Sequence, residues 1–148
     1  MGQSTFDGPV WSGTIRQTSG DGTLIKNLGT AVLQQSTTVS QTAAGTTSST
    51  IYLPASSTIV NFNVDLLTQW NSATSAALTV GTVAAGAQYI TSIDAKTATA
   101  GRQALTLTGA QVLAMSNVGT NTSVVTTVAS VGATTTGSAI ITVLYIQN

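Results

Sequence analysis

The sequence predicts an all-β fold, a jelly-roll-like sandwich or a related β-barrel with an extended N-terminal arm. Threonine and serine, with 29 and 16 residues, make up almost a third of the 148-residue chain. Branching at Cβ, as in threonine and valine, favours strands over helices. Eight or nine short strand-like segments follow one another with turn-forming residues between them, which is typical of sandwiches and jelly rolls. No segment has the apolar period of a convincing amphipathic helix.

Residues 1–30 are predicted to form the arm, and residues 31–148 the β-sandwich domain. The arm holds six of the 14 glycines and four of the eight charged residues, and its short apolar islands follow no sustained period. Such a segment seldom builds its own core, and a terminal segment is mobile unless it docks. Its large apolar side chains favour docking on its own domain or on a neighbouring subunit. The predicted interface residues are Phe6, Pro9, Val10, Trp11, Ile15 and Ile25.

The first strands of the domain are predicted at residues 31–41 and 50–53, with a small polar loop at 42–49. Pro54 ends the second strand, since proline lacks the N–H that a ladder needs. Residues 58–67 give the clearest pattern, because apolar and polar side chains alternate as in a half-buried strand. On one face we expect Val60, Phe62, Val64 and Leu66, and on the other Asn61, Asn63 and Asp65.

The remaining strands are shorter and mostly bounded by glycines. We expect them at residues 77–83, 87–93, 103–109, 123–131 and 138–146. Residues 111–115 fit either a strand or a brief helical turn. The last strand is apolar on both faces, which predicts a central position in its sheet.

The charged residues exclude most chemistry. There are four aspartates, two lysines and two arginines, and no glutamate, histidine or cysteine. The usual zinc, haem and iron–sulfur ligands are therefore missing, as are a thiol nucleophile and an imidazole base. Four basic residues are too few to follow a phosphate backbone. We expect no enzyme activity, no cofactor, no metal and no nucleic-acid partner.

The chain also lacks the signals of a membrane or secreted protein. No apolar run approaches the ~20 residues that span a bilayer. Residues 1–10 have neither the basic nor the apolar region of a secretory signal. We therefore expect no membrane partner.

Two polar groupings allow more than one interpretation. The oxygens of Asn61, Asn63 and Asp65 could hold Ca²⁺, but a strand spreads alternate residues ~6–7 Å apart, which favours a solvated or interface-facing row. Asp94 and Lys96, with Arg102 nearby, fit either a surface loop with a local ion pair or an inter-subunit contact. The sequence does not decide between the surface loop and the inter-subunit contact.

The shortage of charge points to an assembly. Exposed β edges with few charged side chains invite pairing with other chains. Symmetric oligomers commonly cover such surfaces. The composition therefore favours a subunit whose faces are occupied by neighbours.

Two segments resemble small virion proteins of tailed bacteriophages. FDGPVWSGTIR (6–16) resembles their N-terminal leaders with the pattern GPV-x-S. Residues from about 51 to 94 resemble their central segment, in which an LPAG-type turn precedes a long alternating strand, an aromatic residue, N-x-x-TS-x-x-LTVGT and a tyrosine. A valine-rich last strand is also shared. Ser56 stands where the turn usually has glycine, and residues 17–50 match nothing in the pattern.

The proteins that these segments resemble are similar to head decoration, or cement, proteins. The resemblance implies a trimer on the outer capsid surface of the virion, made in the host cytoplasm, whose partners are the major capsid protein and its own copies. It implies a jelly-roll-like or related β fold with an extended arm. The residues most transferable from the resemblance are Phe6, Pro9, Val10, Trp11, Leu78, Val80 and Gly81. With so few charges, binding should be apolar and hydrogen-bonded, with a weak dependence on salt.

The alternative function is a small fibre, tail or adhesin-type domain that recognises a cell-surface glycan. Trp70, Tyr89 and Tyr52 could stack on sugar rings, while asparagine and threonine side chains bind hydroxyls. Packing in the core is the competing and favoured interpretation of these aromatic residues.

Overall fold

The computed structural model describes residues 14–18, 25–116 and 122–147. Within these ranges the chain forms ten strands and one short helix. In chain order they are β1 (Thr14–Thr18), β2 (Ile25–Thr30), β3 (Leu33–Ser40), β4 (Gly45–Leu53), β5 (Ser57–Thr68), β6 (Ser75–Gly81), β7 (Ile90–Asp94), β8 (Gly101–Arg102), α1 (Gly109–Met115), β9 (Thr122–Val131) and β10 (Ser138–Gln147). The predicted all-β class is confirmed.

Strands β3 to β10 form two four-stranded antiparallel sheets. The front sheet has the order β3-β10-β5-β8 and the back sheet the order β4-β9-β6-β7. The first and last strands of the sandwich are neighbours, and the chain crosses repeatedly between the sheets. This is the strand order of a jelly roll. The prediction that the last strand is central is also confirmed, since β10 lies between β3 and β5.

The core fills the space between the two sheets. Val64 and Ile141 of the front sheet and Leu78 and Val128 of the back sheet are fully buried there. Trp70 closes one end of the core, and its indole N–H donates to the Gln41 side-chain oxygen at 3.0 Å. The buried tryptophan therefore has a partner for its one polar atom.

The loops around Trp70 are held together by hydrogen bonds between uncharged groups. Asn71 donates to the Thr135 hydroxyl at 2.7 Å and accepts from the Thr135 backbone at 2.9 Å. The buried hydroxyls of Ser72 and Thr134 lie 2.9 Å apart. Amide and hydroxyl groups thus join the loop after β5 to the loop before β10, without a charged side chain between them.

The predicted loop at 42–49 is wrong for its second half. Strand β4 begins at Gly45 and pairs with β9 from Gly45↔Ser130 to Leu53↔Thr122. The Ser48 and Thr127 hydroxyls, 2.9 Å apart, join the two strands. The polar sequence that suggests a loop is thus an edge strand, because β9 supplies partners for its backbone.

The predicted strand at 103–109 is also wrong. Pairing with β5 is confined to β8, and only the Gln103 N–H continues it, donating to the Val64 carbonyl at 2.9 Å. A helix then begins where Thr108 and Gln111 form a capping box: the Thr108 N–H donates to the Gln111 side chain at 2.7 Å, and the Gln111 N–H to the Thr108 hydroxyl at 3.3 Å. Of the two structures predicted for 111–115, the helical one is correct.

Strands β1 and β2 form an antiparallel two-stranded sheet that pairs with neither sheet of the sandwich. The sequence of this region, which shows no sustained apolar period, predicts no strands. The division into an arm at 1–30 and a domain at 31–148 stays a prediction.

Candidate interaction surface

The predicted interface in the arm lies mostly outside the described residues. This holds for Phe6, Pro9, Val10 and Trp11. The backbones of Ile15 and Ile25 belong to β1 and β2, opposite Gly29 and Thr18 respectively. The interface that these six residues were predicted to form stays a prediction.

The outer surface of the front sheet is the broadest candidate in the described part of the chain. We call it the open face, because its side chains are exposed or half-buried. Its members include Gln34, Ser36 and Thr38 on β3, Ile140, Thr142 and Leu144 on β10, Val60, Asn61, Asn63, Asp65 and Leu67 on β5, and Arg102 on β8.

Aliphatic and polar side chains alternate on the open face, and Thr142 lies between Ile140 and Leu144 on the central strand. Ile140 and Leu144 lie on the central strand, opposite Asp65 and Asn61 of β5. They are flanked by hydroxyl and amide side chains on both neighbouring strands. This face can therefore offer apolar contacts and hydrogen bonds side by side.

A β-bulge alters the predicted alternation of β5. The register with β10 shifts between Leu144 and Tyr145, so Val60 and Asn61 are both exposed while Ile59 and Phe62 are buried. The prediction that Val60 shares a face with Phe62 is therefore wrong. The bulge adds Val60, which is 50% exposed, to the open face.

An ion pair lies at one margin of the open face. Arg102 donates to Asp65 through Nε and Nη2, at 2.9 and 3.0 Å from the two carboxylate oxygens. The hydrogen bond from Arg102 lowers the pKa of the Asp65 carboxyl, and the same bond raises the pKa of the guanidinium. This carboxylate is already paired, which argues against the calcium interpretation of the asparagine row. The described residues contain no cluster of three acidic, histidine or cysteine side chains.

The neighbouring charges are arranged differently from the predicted cluster. Asp94 accepts the Thr97 hydroxyl at 2.7 Å and the Lys96 N–H at 3.1 Å. The hydrogen bond from Thr97 is the main cause that lowers the pKa of Asp94. Lys96 Nζ donates to the Ala73 carbonyl at 2.8 Å. Arg102 pairs with Asp65 instead, so the three charges do not form the predicted local ion pair, and the inter-subunit alternative stays a prediction.

The outer surface of the back sheet is covered in its middle by its own chain. In the loop after β6, the Ala85 N–H donates to the Thr127 hydroxyl at 2.9 Å, and Thr127 is buried. A Cβ at Gly81 would overlap the Gln88 side chain and the Gly86 backbone. The motif that carries part of the resemblance therefore packs this loop, with Leu78 and Val80 in the core.

The three aromatic residues considered for glycan stacking do not share a surface. Trp70 and Tyr89 are 1% and 2% exposed, and the ring of Tyr89 lies 5.3 Å from that of Phe62. Burial raises the pKa of the Tyr89 hydroxyl. Tyr52, on the back sheet, is 74% exposed. Core packing is thus correct for two of the three.

Comparisons with protein-family models, with characterised proteins and with solved structures find no match to this chain. Among the described residues, no helix has the length and apolar character required to cross a bilayer.

Proposed function

We propose that this chain is a non-enzymatic structural subunit of a tailed-bacteriophage virion. It binds the outer capsid surface and fastens neighbouring major capsid proteins together, as a homotrimer. The observation that carries the proposal is the open face. A sheet surface on which aliphatic side chains alternate with hydroxyl and amide groups, and whose one ion pair is neutralised within the face, is suited to a large, uncharged protein contact.

The chemistry of the chain supports a structural role. It has no histidine, cysteine or glutamate. Of its four aspartates, Asp65 is paired with Arg102 and Asp94 closes its own loop. These carboxylates stabilise local structure, and their lowered pKa values do not suit a general acid at neutral pH.

The resemblance to decoration proteins supports the virion assignment. The resembling segment at about 51–94 extends from the end of β4 to β7. It contributes Val60, Asn61, Asn63 and Asp65 to the open face. The part of the chain that resembles decoration proteins thus provides much of the surface proposed to bind.

The contact should depend weakly on ionic strength. The open face carries one positive and one negative side chain, and they bond to each other. Salt mainly screens unpaired exposed charges. Burial of aliphatic side chains and neutral hydrogen bonds would therefore supply most of the affinity.

A matched pair of variants tests the proposal. Val60→Arg places a charge on the open face, and Val131→Arg makes the same change on the outer surface of the back sheet, where valine is 55% exposed. In co-sedimentation with undecorated, tailless heads of the phage that encodes the chain, we expect Val60→Arg to reduce binding at least about tenfold and Val131→Arg to bind like the wild type.

Native mass measurement tests the predicted trimer independently. A monomer at working concentration would contradict the trimer, and absence of wild-type binding to heads would overturn the capsid role. Binding that falls steeply between low and high salt would contradict the apolar mechanism.

A further inference from the structure

Each sheet of the sandwich ends on both sides in a strand that has only one described neighbour. On one long side of the sandwich these edge strands are β7 and β8, and on the other they are β3 and β4. An unpaired edge offers a row of backbone N–H and C=O groups to another chain, and natural sheets protect such edges with short strands, charged side chains or bulges. The two sides of this sandwich differ in all three protections.

The side formed by β7 and β8 is protected. β7 has five residues and β8 has two, and the strands carry the charged residues Asp94 and Arg102. The register of β7 with β6 is irregular. A hydrogen bond of 2.8 Å from the Gln111 side chain to the Thr91 hydroxyl also holds α1 beside β7. This side therefore offers little regular edge to a further strand.

The side formed by β3 and β4 lacks these protections. The two strands have eight and nine residues, whereas about five or six are typical of a strand. Residues 33–53, which include both strands and the loop between them, contain no charged residue and no proline. The pairing of β3 with β10 and of β4 with β9 continues without a bulge. This side therefore offers two long and regular edges to a partner.

Side-chain hydrogen bonds hold these two edges together. The Thr37 and Ser49 hydroxyls bond from β3 to β4, and the Gln35 side chain on β3 donates to the Tyr52 carbonyl on β4 at 3.2 Å. Packed sheets lie about 10 Å apart, whereas a paired strand lies ~4.8 Å from its neighbour. A single added strand can therefore pair with β3 or with β4, but not with both.

A second copy of this chain fits both edges at once. A two-fold axis perpendicular to the sheets reverses the direction of every strand and keeps the order of the two layers. It places β3 against β3 of the second copy and β4 against its β4, and both pairings are antiparallel. The second copy presents the same two edges at the same spacing, and neither edge carries a charge that would repel its counterpart. These matches favour a second copy over any single strand, whether foreign or from another part of the chain.

Tyr52 adds an aromatic contact to this side. Of the five aromatic side chains in the described ranges, the other four are buried, whereas Tyr52 on β4 is 74% exposed. A neighbouring strand beside β4 would cover part of its ring. Because burial of aromatic area favours association, Tyr52 should strengthen the contact.

We propose that two copies of this chain pair side by side through β3 and β4, across a two-fold axis perpendicular to the sheets. The four-stranded sheets of each copy then continue into those of the other. Both open faces point in the same direction and form one wider surface. The inference goes beyond the proposed function, since the pairing does not require a capsid. An assembly built on this contact contains two copies, or six where the proposed trimer forms through another surface.

Sedimentation equilibrium of the full chain without capsids tests the pairing. We expect two copies per particle, or six. Thr50→Lys places a charge at an exposed residue of β4 and should raise the dissociation constant of the pairing at least about tenfold. Ser92→Lys introduces lysine at an exposed residue of β7, on the protected side, and should associate like the wild type. Thermal melting confirms that both variants fold.

Disulfide formation tests the symmetry, because the chain has no cysteine of its own. A two-fold axis places the residue nearest to it opposite the same residue of the second copy. Under mild oxidation, at least one single-cysteine variant between Thr46 and Tyr52 should therefore form covalent dimers, and Ser92→Cys should not. Cross-linking only between a cysteine on β3 and a cysteine on β4 would indicate a head-to-tail contact and contradict the two-fold axis.

Three results would overturn the pairing: a wild-type chain that sediments as a monomer, one that sediments only as three copies, or undiminished association of Thr50→Lys. A monomer whose β3 and β4 amides gain protection from hydrogen exchange only on capsids would assign these edges to a capsid protein instead. Thr50 lies on the back sheet, away from the open face, so Thr50→Lys should still bind undecorated heads. Failure of the pairing and failure of the proposed capsid role are therefore separate results.

Discussion

At the scale of single residues, two backbone positions in the described part of the chain are under strain. Ser56 and Ala85 have φ values of 60° and 59°, in the left-handed region that glycine adopts more readily than other residues. Ser56 occupies the turn position where the resembling proteins have glycine. The departure from the motif therefore has a physical cost at this position.

Replacing Ser56 should reveal that cost. Ser56→Gly is expected to raise the free energy of unfolding by about 0.5–1 kcal/mol, because relief of the left-handed strain exceeds the added entropy of the unfolded chain. Urea denaturation measures it. The neighbouring Ser57→Gly is the control and should destabilise, since the buried Ser57 hydroxyl donates to the Pro54 carbonyl at 2.8 Å. A lower stability of Ser56→Gly would contradict the strain argument.

A second prediction concerns the close approach of Gly137 to Trp70. A Cβ at Gly137 would overlap the indole ring, so Gly137→Ala should destabilise by about 1–3 kcal/mol. Gly109→Ala is the matched control, because a Cβ there meets nothing within 4 Å and alanine favours the helix. Thermal melts of both variants measure the difference. An unchanged melting temperature for Gly137→Ala would mean that Trp70 can move aside with little loss of stability.

At the scale of elements, periodicity predicted the strands that are half-buried. Val64 and Leu66 alternate with Asn63 and Asp65, and β5 forms there because one face is core and the other is not. Elements whose existence depends on a distant partner were not predictable. The polar start of β4 is a strand because β9 pairs with it. Residues 103–108 have the alternating pattern of a strand, but they do not form the backbone pairing that a strand requires.

The candidate interaction surface was predictable only in part. The polar row of β5 is visible in the sequence, and its outward direction is confirmed. The bulge that turns Val60 outward depends on the register with β10, which no local pattern encodes. The partnership of Arg102 with Asp65, 37 residues apart in sequence, likewise follows from the pairing of β8 with β5.

At the scale of the whole molecule, scarcity of charge should make stability nearly independent of pH. No histidine, glutamate or cysteine is present, so apart from the amino terminus no group titrates between about pH 5 and 9. Asp65 and Asp94 have pKa values lowered in the folded chain. Their contribution is fully present above the unfolded value of about 3.9 and is lost as the pH falls through the folded pKa.

Urea midpoints measured from pH 2 to pH 9 test this. We expect a flat profile of stability above about pH 5 and a shallow fall below about pH 4, since solvent screens the exposed Asp65–Arg102 pair and limits its contribution. In the Asp65→Asn variant the urea midpoint should fall less between pH 4 and pH 2 than it does in the wild type. A midpoint that changes between pH 6 and 7 would contradict the expectation.

The pairing of β3 with β10 also decides where foreign sequence can be attached. Leu33 lies opposite Tyr145, so the chain enters the sandwich and leaves β10 at the same end. A cargo fused after β10 would emerge beside residues 31–32, which connect β2 to β3. The exposed loop at 42–44 lies at the far end, because β3 runs the length of the sandwich before reaching it. An epitope inserted in that loop would lie at the end of the sandwich opposite the start of β3, and it would interrupt no strand of either sheet.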